Sequence, residues 1–311
     1  MDCYKGTKDR KLKHTAVALG KFDGLHRGHQ LLFERLRHCK DLGYRTVIFT
    51  FDFHPMSLLG KKKQQLIYTN DERREIAEDF GIDVMIEFPF TMETARMEPE
   101  DFIKEILVHD LGAEVIIVGD DFRFGHNRSG DVACLKKFSD MFGYRVENCE
   151  KVCDDGKEIS ATYVRDLIRE GRMKDAMRLL GRPYTIRGEI SRGKGKGHTV
   201  GMPTANITPH EDKLLPPDGV YVTRATTLTT GKTYNSLTNI GRNPTVADDN
   251  DLSVETFLLG FDGDLYNEPL MISFYDYIRG EKKFPDLSAL KQQVEKDVLY
   301  AETVFGQLDQ I

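Results

Sequence analysis

The run Gly20-Lys-Phe22-Asp23-Gly24-Leu-His26-Arg-Gly28-His29 sets two imidazoles three residues apart among three glycines. An apolar segment ends at Gly20 and a helical pattern begins near Gly28, which puts both histidines on a strand-to-helix turn. Free backbone N–H groups and the positive end of the helix favour an anion at such a turn. The glycines allow close approach of the backbone to a ligand, and imidazoles can donate hydrogen bonds to phosphate oxygens as charge develops. The spacing therefore predicts phosphate chemistry, whereas a lone loop histidine or a glycine-rich turn by itself is more often structural.

A second run, Arg192-Gly193-Lys-Gly-Lys196-Gly197-His198-Thr-Val-Gly201-Met-Pro203-Thr204-Ala-Asn206, interleaves lysines with glycines. Backbone N–H groups and ammonium charges in such a loop can wrap a polyphosphate. A solvated basic loop explains the local pattern equally well. It is no P-loop, because the Gly-Lys-Ser/Thr ending and the following helix are missing. Elsewhere, Asp121, Arg123 and Arg128 follow a buried apolar run, at the end of a strand where open α/β sheets bind ligands. Ser160 and Thr162 begin a helix, where capping is the simpler role, and Arg165 one turn on can meet phosphate.

The elements that must carry these residues follow two grammars. From Thr15 to about Gly181, apolar runs at Ala16 to Leu19, Thr46 to Phe51, Val84 to Phe88 and Val115 to Val118 alternate with helical patterns. That alternation predicts a Rossmann-like α/β half with a parallel sheet. Leu32, Leu36 and Cys39 recur at helical spacing, Thr69 to Glu72 reads as a capping box, and Pro99 suits a first helical turn. Two short helices ending at Gly171 and Gly181 lead to Pro183. The expected domains are residues 1–182 and 183–311.

Beyond Pro183 the chain reads as strands: Thr185 to Ile190, Gly219 to Leu228, Lys232 to Ile240, Ser253 to Leu259 and Leu270 to Ile278. Thr230-Gly231 and Asp262-Gly263 are turn signals between them. A small antiparallel barrel is expected, with a long C-terminal helix from about Leu287 presenting Leu290, Val294, Val298 and Ala301. The 44 basic and 50 acidic residues leave a net charge of −6, which offers no general attraction to nucleic acid or membrane. Five cysteines without a Cys-x-x-Cys pair read as reduced thiols, and neither a leader nor a membrane span is evident, so a cytoplasmic protein is expected. Oligomeric state leaves no signature.

The first run is similar to the nucleotidyltransferase signature, and its extended form resembles the FMN adenylyltransferase module of bacterial bifunctional riboflavin kinase/FAD synthetases. Phe51-Asp-Phe-His54-Pro55, Val118 to Gly125 with Arg128 and Gly130, and Ile159 to Arg165 resemble further segments of that module. In the second half, Gly201 to Asn206, Gly219-Val-Tyr221, Asn239-Ile-Gly241 with Pro244-Thr245, Glu255, Phe261 to Tyr266 and Arg279 to Phe284 resemble riboflavin kinase. Four residues depart from the family pattern. Ala161 replaces a serine, His198 an arginine, Phe257 a histidine and Gly260 an aspartate. The change at 198 removes a permanent charge from the kinase half.

The resemblance implies ATP-dependent phosphorylation of riboflavin to FMN, followed by adenylylation of FMN to FAD with release of pyrophosphate, both with Mg²⁺. For the second step it implies His26 and His29, with Gly20, Phe22, Asp23, Gly24, Asp121, Arg123, Arg128, Ser160, Thr162 and Arg165 around ATP and FMN. For the first it implies Thr204 and Asn206 at the metal and Glu255 as general base, with Gly193, Lys196, Gly197, Gly201, Asn239 and Arg279 at ATP and riboflavin. A base is needed there because the ribityl hydroxyl is neutral, whereas the FMN phosphate is already ionised. Two alternatives remain at this point: an FAD synthetase with a weak kinase half, and a flavin-binding regulator without turnover.

Overall fold

The computed structural model describes residues 1–8, 10–52, 65–191, 204–242, 252–261 and 268–310. The chain divides into two compact units, Met1–Ala161 and Thr162–Ile311. The first holds a six-stranded parallel sheet. Its strands are β1 (Asp2–Lys5), β2 (Thr15–Leu19), β3 (Arg45–Phe51), β4 (Val84–Phe88), β5 (Ala113–Gly119) and β6 (Arg145–Cys149), in the spatial order β1-β4-β3-β2-β5-β6. Every residue of β2 and β4 is buried. Both faces of the sheet are thus covered, which explains the largely apolar runs in the sequence.

The connecting helices are α1 (Arg27–Asp41), α2 (Asn70–Asp79), α3 (Met92–Ala95) and α4 (Pro99–Asp101), the last continuing as a π-helical stretch, Phe102–Asp110; α5 (Val132–Phe142) follows β5. Leu32, Leu36 and Cys39 are the buried stripe of α1, as their spacing predicts. The capping box at α2 has both of its bonds, Glu72 N–H to Thr69 Oγ1 at 3.3 Å and Thr69 N–H to Glu72 Oε2 at 2.7 Å. One core face gathers Val17, Leu19, Val47, Phe49, Val84 and Ile86 against Phe102, Ile103 and Leu107. A short hairpin of β7 (Cys153–Asp154) and β8 (Lys157–Glu158) closes the unit.

Strand order decides where a ligand can enter. From β2 the chain steps to β3 and then β4 on one side, and afterwards crosses to β5 on the other. Open α/β sheets bind ligands in the crevice at the carboxyl ends of the strands flanking such a reversal. Those ends are Leu19 and Gly119, so the loops that follow them carry His26 and Asp121.

The second unit begins with α6 (Ala161–Arg169, whose first residue closes the first unit) and α7 (Met173–Leu180). Gly181 ends α7 in the left-handed conformation. The strands β9 (Tyr184–Ser191), β10 (Thr204–Pro209), β11 (Gly219–Thr227), β12 (Thr233–Arg242), β13 (Leu252–Leu258) and β14 (Pro269–Arg279) close a barrel in the order β10-β13-β12-β11-β14-β9. All described pairings are antiparallel. β10 is not among the expected strands: Thr204 to Asn206 lie on it and not in a loop, with half-exposed Thr204 and Asn206 alternating with buried Ala205 and Ile207. The helix α8 (Leu287–Leu308) packs Val294, Val298, Ala301, Val304 and Phe305 on Val222 and Leu237 outside the barrel. The barrel interior holds a ladder of hydroxyls, with Thr238 Oγ1 2.8 Å from Thr223 and 2.9 Å from Thr256.

Candidate active sites

The loop after β2 is wound tightly. Gly20 N–H still donates to Phe49 O at 3.2 Å, continuing the sheet ladder. The backbone then enters the left-handed region at Phe22 (φ 46°), Gly24 (φ 83°) and Leu25 (φ 43°). For Phe22 and Leu25 this costs about 1 kcal/mol each, and packing offsets it. Phe22 is fully buried, with its ring centroid 5.3 Å from both Phe33 and His29.

The glycines turn out to make room for the protein's own rings. A Cβ on Gly20 would stand 2.9 Å from the Phe22 ring, and one on Gly28 would stand 3.1 Å from His26 Nδ1. Gly24 has the positive φ that excludes most side chains and faces Ile67 at 2.9 Å. These contacts seat Phe22 and His26, which is a more direct reason for glycine than approach of a ligand.

His26 is the residue before α1, and its carbonyl accepts from His29 N–H at 2.7 Å and Gln30 N–H at 3.0 Å. The two imidazoles stack, with centroids 3.8 Å apart and planes 22° from parallel. His26 is 6% exposed, and burial pulls its pKa down from 6.5 to about 4. His29 is half-exposed as a residue but its Nδ1 is buried; burial and then the neighbouring His26 push its pKa well below the usual value. Both rings are therefore neutral at pH 7, each with one N–H and one lone pair. Neither Nδ1 has a hydrogen-bond partner among the described residues. Unpaired buried nitrogens are costly, and such groups concentrate where a ligand completes them.

On the β5 side, Asp121, Arg123 and Arg128 are exposed. Lys151 Nζ lies 3.5 Å from Asp121, and Arg123 pairs with Asp131 at 2.7 Å. Asp131 caps α5, accepting from Cys134 N–H at 2.8 Å, and that bond, followed by Arg123, holds its carboxyl below the usual range. Arg128 (φ 58°) follows Asn127 (φ 51°) in a left-handed turn, closed by the Phe124–Gly130 bridge. Asp23 is buried. Ser160 is half-buried at the start of α6, while exposed Thr162 and buried Arg165 belong to the second unit. Burial, with Arg169 nearby, lowers the Arg165 guanidinium to about 10. His54 and Pro55 lie outside the described residues.

Sequence reasoning missed Arg73 of α2. It is fully buried, and its NH2 donates to Asn70 Oδ1 at 2.6 Å while NH1 lies 3.4 Å from both Lys21 O and Thr50 Oγ1. A signal was present: Arg73, Ile76 and Ala77 share the buried stripe of the helix, so a cation occupies a core position.

In the barrel, strand register assembles the second site. Asn206 faces Glu255, and Glu255 faces Asn239 on the next strand. Directly paired residues share a face of the sheet. It is the outer face, because Leu237, two residues from Asn239, packs on α8. Thr204 joins the row opposite Phe257. Glu255 is half-buried and accepts from Ser253 Oγ at 3.0 Å. Asn239 Nδ2 donates to Glu281 Oε1 at 3.3 Å, and the Glu281 carboxylate fills the space a Cβ on Gly241 would need.

Arg279 has a different engagement from the phosphate or flavin contact expected. Its Nε and NH2 donate to Asp297 Oδ2 at 3.0 and 2.7 Å, fastening β14 to α8, and Gln293 Nε2 donates to the same carboxylate at 2.9 Å. Gly193, Lys196, Gly197, His198, Gly201, Pro203, Pro244, Thr245 and the Asp262-Gly263 turn lie outside the described residues. Among the described residues no cluster of three His, Cys, Asp or Glu side chains forms a metal site. Thr204 and Asn206 offer a hydroxyl and an amide oxygen on one face, the hard donors that suit a cation keeping most of its shell as water and phosphate.

The FAD synthetase family model matches residues 8–163 and the riboflavin kinase model matches residues 180–305. The chain belongs to the bifunctional riboflavin kinase/FMN adenylyltransferase family. A family member of that name from Listeria monocytogenes is 34% identical over 94% of this chain and 93% of its own length. The Haemophilus influenzae member is 34% identical over 96% of each chain. A solved structure described as a macrolide-efflux protein from Streptococcus pneumoniae superposes with a TM-score of 0.89 at 27% identity, covering 97% of this chain and 99% of that one. Among the described residues of this family member, no helix is long and apolar enough to cross a membrane.

Proposed function

We propose that this chain makes FAD from riboflavin in two ATP-dependent steps, with phosphorylation in residues 183–311 and adenylylation in residues 1–182. The observation that carries the reading is the match of both family models, one to each half. The stacked neutral histidines at the sheet reversal and the Asn206–Glu255–Asn239 row supply the chemistry each half needs.

In adenylylation an oxygen of the FMN phosphate attacks the α-phosphorus of ATP in line, and pyrophosphate leaves. The nucleophile is already an anion, so the site's work is positioning and stabilisation of charge. Neutral His26 and His29 donate N–H bonds to oxygens that gain charge, a role that needs no imidazolium. In phosphorylation the ribityl hydroxyl attacks the γ-phosphorus of ATP, ADP leaves, and Glu255 takes the hydroxyl proton. Asn206 and Asn239 flank that carboxylate and orient hydroxyl and phosphate oxygens. Mg²⁺ held by Thr204 and Asn206 would neutralise phosphate charge when bound. The substrates are small molecules, and five free cysteines fit the cytoplasm.

The test follows riboflavin, FMN and FAD by chromatography in the wild-type chain, in Glu255→Gln and in His26→Ala/His29→Ala. The histidine variant should accumulate FMN, and Glu255→Gln should stop using riboflavin yet still convert added FMN. Phosphorylation by Glu255→Gln at the parent rate would remove Glu255 from the role of base. A wild-type chain that turns over neither flavin would overturn the reading as a whole.

A further inference from the structure

The mechanism above uses no residue of α2, yet that helix inserts a charged side chain beneath the histidine loop. Arg73 is the largest fully buried side chain among the described residues. Burial lowers its pKa to about 10, offset in part by the charges of Glu87 and then Asp52, so it remains a cation at neutral pH. Glu87 is itself buried and held by the neighbouring Arg74 through bonds of 3.1 and 2.6 Å. A cation is expensive in such a place unless its donors are used.

One arm of the guanidinium reaches a backbone carbonyl and the hydroxyl that supports it. Lys21 O accepts from Thr50 Oγ1 at 2.9 Å and lies 3.4 Å from Arg73 NH1, which is equally far from Thr50 Oγ1. The other arm of the guanidinium is fixed by Asn70 in the first turn of α2. Lys21 is the last residue before the left-handed turn at Phe22, and the turn ends at His26. The carbonyl is therefore tied to β3 and α2 at the point where the loop leaves the sheet. Without that tie, the strained Phe22 and Leu25 conformations lose their anchor, and the Phe22 ring that abuts His29 is free to shift.

We propose that Arg73 is a positioning residue for adenylyl transfer: its guanidinium, with Thr50, clamps the Lys21 carbonyl and so sets the loop that holds His26 and His29 in register. The proposal rests on the adenylyltransferase reading for its effect on turnover, while its effect on the histidines can be observed without turnover. Arg73→Lys keeps the charge but loses the planar fork, and Thr50→Val removes the hydroxyl while keeping the shape. Thr50→Ser is the conservative rescue.

The experiment measures kcat and KM for FMN adenylylation and for riboflavin phosphorylation on each full-length chain, and the titration of the imidazole ring signals by NMR. In Arg73→Lys and Thr50→Val, kcat for adenylylation should fall about tenfold or more, toward the ~100-fold that a 1 Å misplacement can cost. The double variant should lose little beyond the worse single one, because both act on one clamp. Riboflavin phosphorylation should stay at the parent rate, Thr50→Ser should restore adenylylation, and the histidine titrations should move up toward the ordinary range as water enters. Parent kcat in Arg73→Lys would overturn the proposal, as would a loss of kcat with histidine titrations unmoved. If the wild-type chain transfers no adenylyl group, the proposed function fails, and the histidine titrations still decide whether Arg73 sets the loop.

Discussion

Lowering the pH from 7 to 5 probes the histidine site directly. His26 stays neutral in the folded protein down to about pH 4, against 6.5 for an ordinary histidine, because it is buried. Between those two values the unfolded chain binds a proton that the folded chain does not, so stability is fully present above 6.5 and is lost as the pH falls. At about 1.4 kcal/mol per pH unit, His26 alone costs the first unit about 2 kcal/mol at pH 5 and about 3 kcal/mol by pH 4. His29 acts in the same direction. The assay is urea unfolding at pH 7 and pH 5, read from methyl signals of Ala16 and Val17 in β2 so that only the first unit is followed. Wild type is compared with His26→Gln, which has no titrating group at that position. The pH dependence should shrink by about 2 kcal/mol in the variant. A His26 ring that titrates near 6.5 in the folded chain, or a variant with the parent's pH dependence, would refute the reasoning.

Two further perturbations follow from contacts already described. Gly28→Ala puts a Cβ 3.1 Å from His26 Nδ1 and 3.2 Å from Cε1, so the ring must move. FMN adenylylation should fall by about tenfold or more while riboflavin phosphorylation is unchanged, which one chromatographic time course can read. Asp297→Ala leaves Arg279, whose side chain is 13% exposed, without its carboxylate. Breaking such a pair costs about 3 kcal/mol or more, visible as an earlier urea midpoint for the second unit and faster loss of riboflavin phosphorylation on warming. Parent stability in Asp297→Ala would show that the pair does not fasten α8.

The central strands were legible because burial on both faces writes itself as apolar runs, and the run from Thr46 to Phe51 recurs as β3 with one residue added. The five barrel strands read from alternation also appear, each within a residue or two at its ends. β10 was hidden because Thr204 to Asn206 carry a motif whose glycine-rich approach reads as loop, although Ala205 and Ile207 obey the two-residue period. Around the histidines, residue types pointed to phosphate chemistry, but the ring stacking and the suppressed protonation depend on burial, which types do not encode. Arg73 was missed because arginine is read as surface, and only its place in a buried helical stripe marks it otherwise. The family resemblance implies a substrate contact for Arg279, whereas its partner Asp297 sits 18 residues away on a helix whose approach to β14 no local pattern reveals.

The two outermost strands of the parallel sheet, β1 and β6, escaped the sequence reading for a physical reason that has a benefit. Their sequences, Asp-Cys-Tyr-Lys and Arg-Val-Glu-Asn-Cys, carry charges at exposed or half-buried positions, whereas every residue of β2 and β4 is buried. An open sheet always exposes a row of unpaired N–H and C=O groups at each border, and a long apolar border would recruit strands from other copies of the chain. Short, charged borders leave the same hydrogen-bonding groups in place but make stacking of a second sheet against them costly. The polarity that conceals β1 and β6 thereby guards the first unit against aggregation, and valines at Arg145 and Glu147 would turn a protected border into an adhesive one.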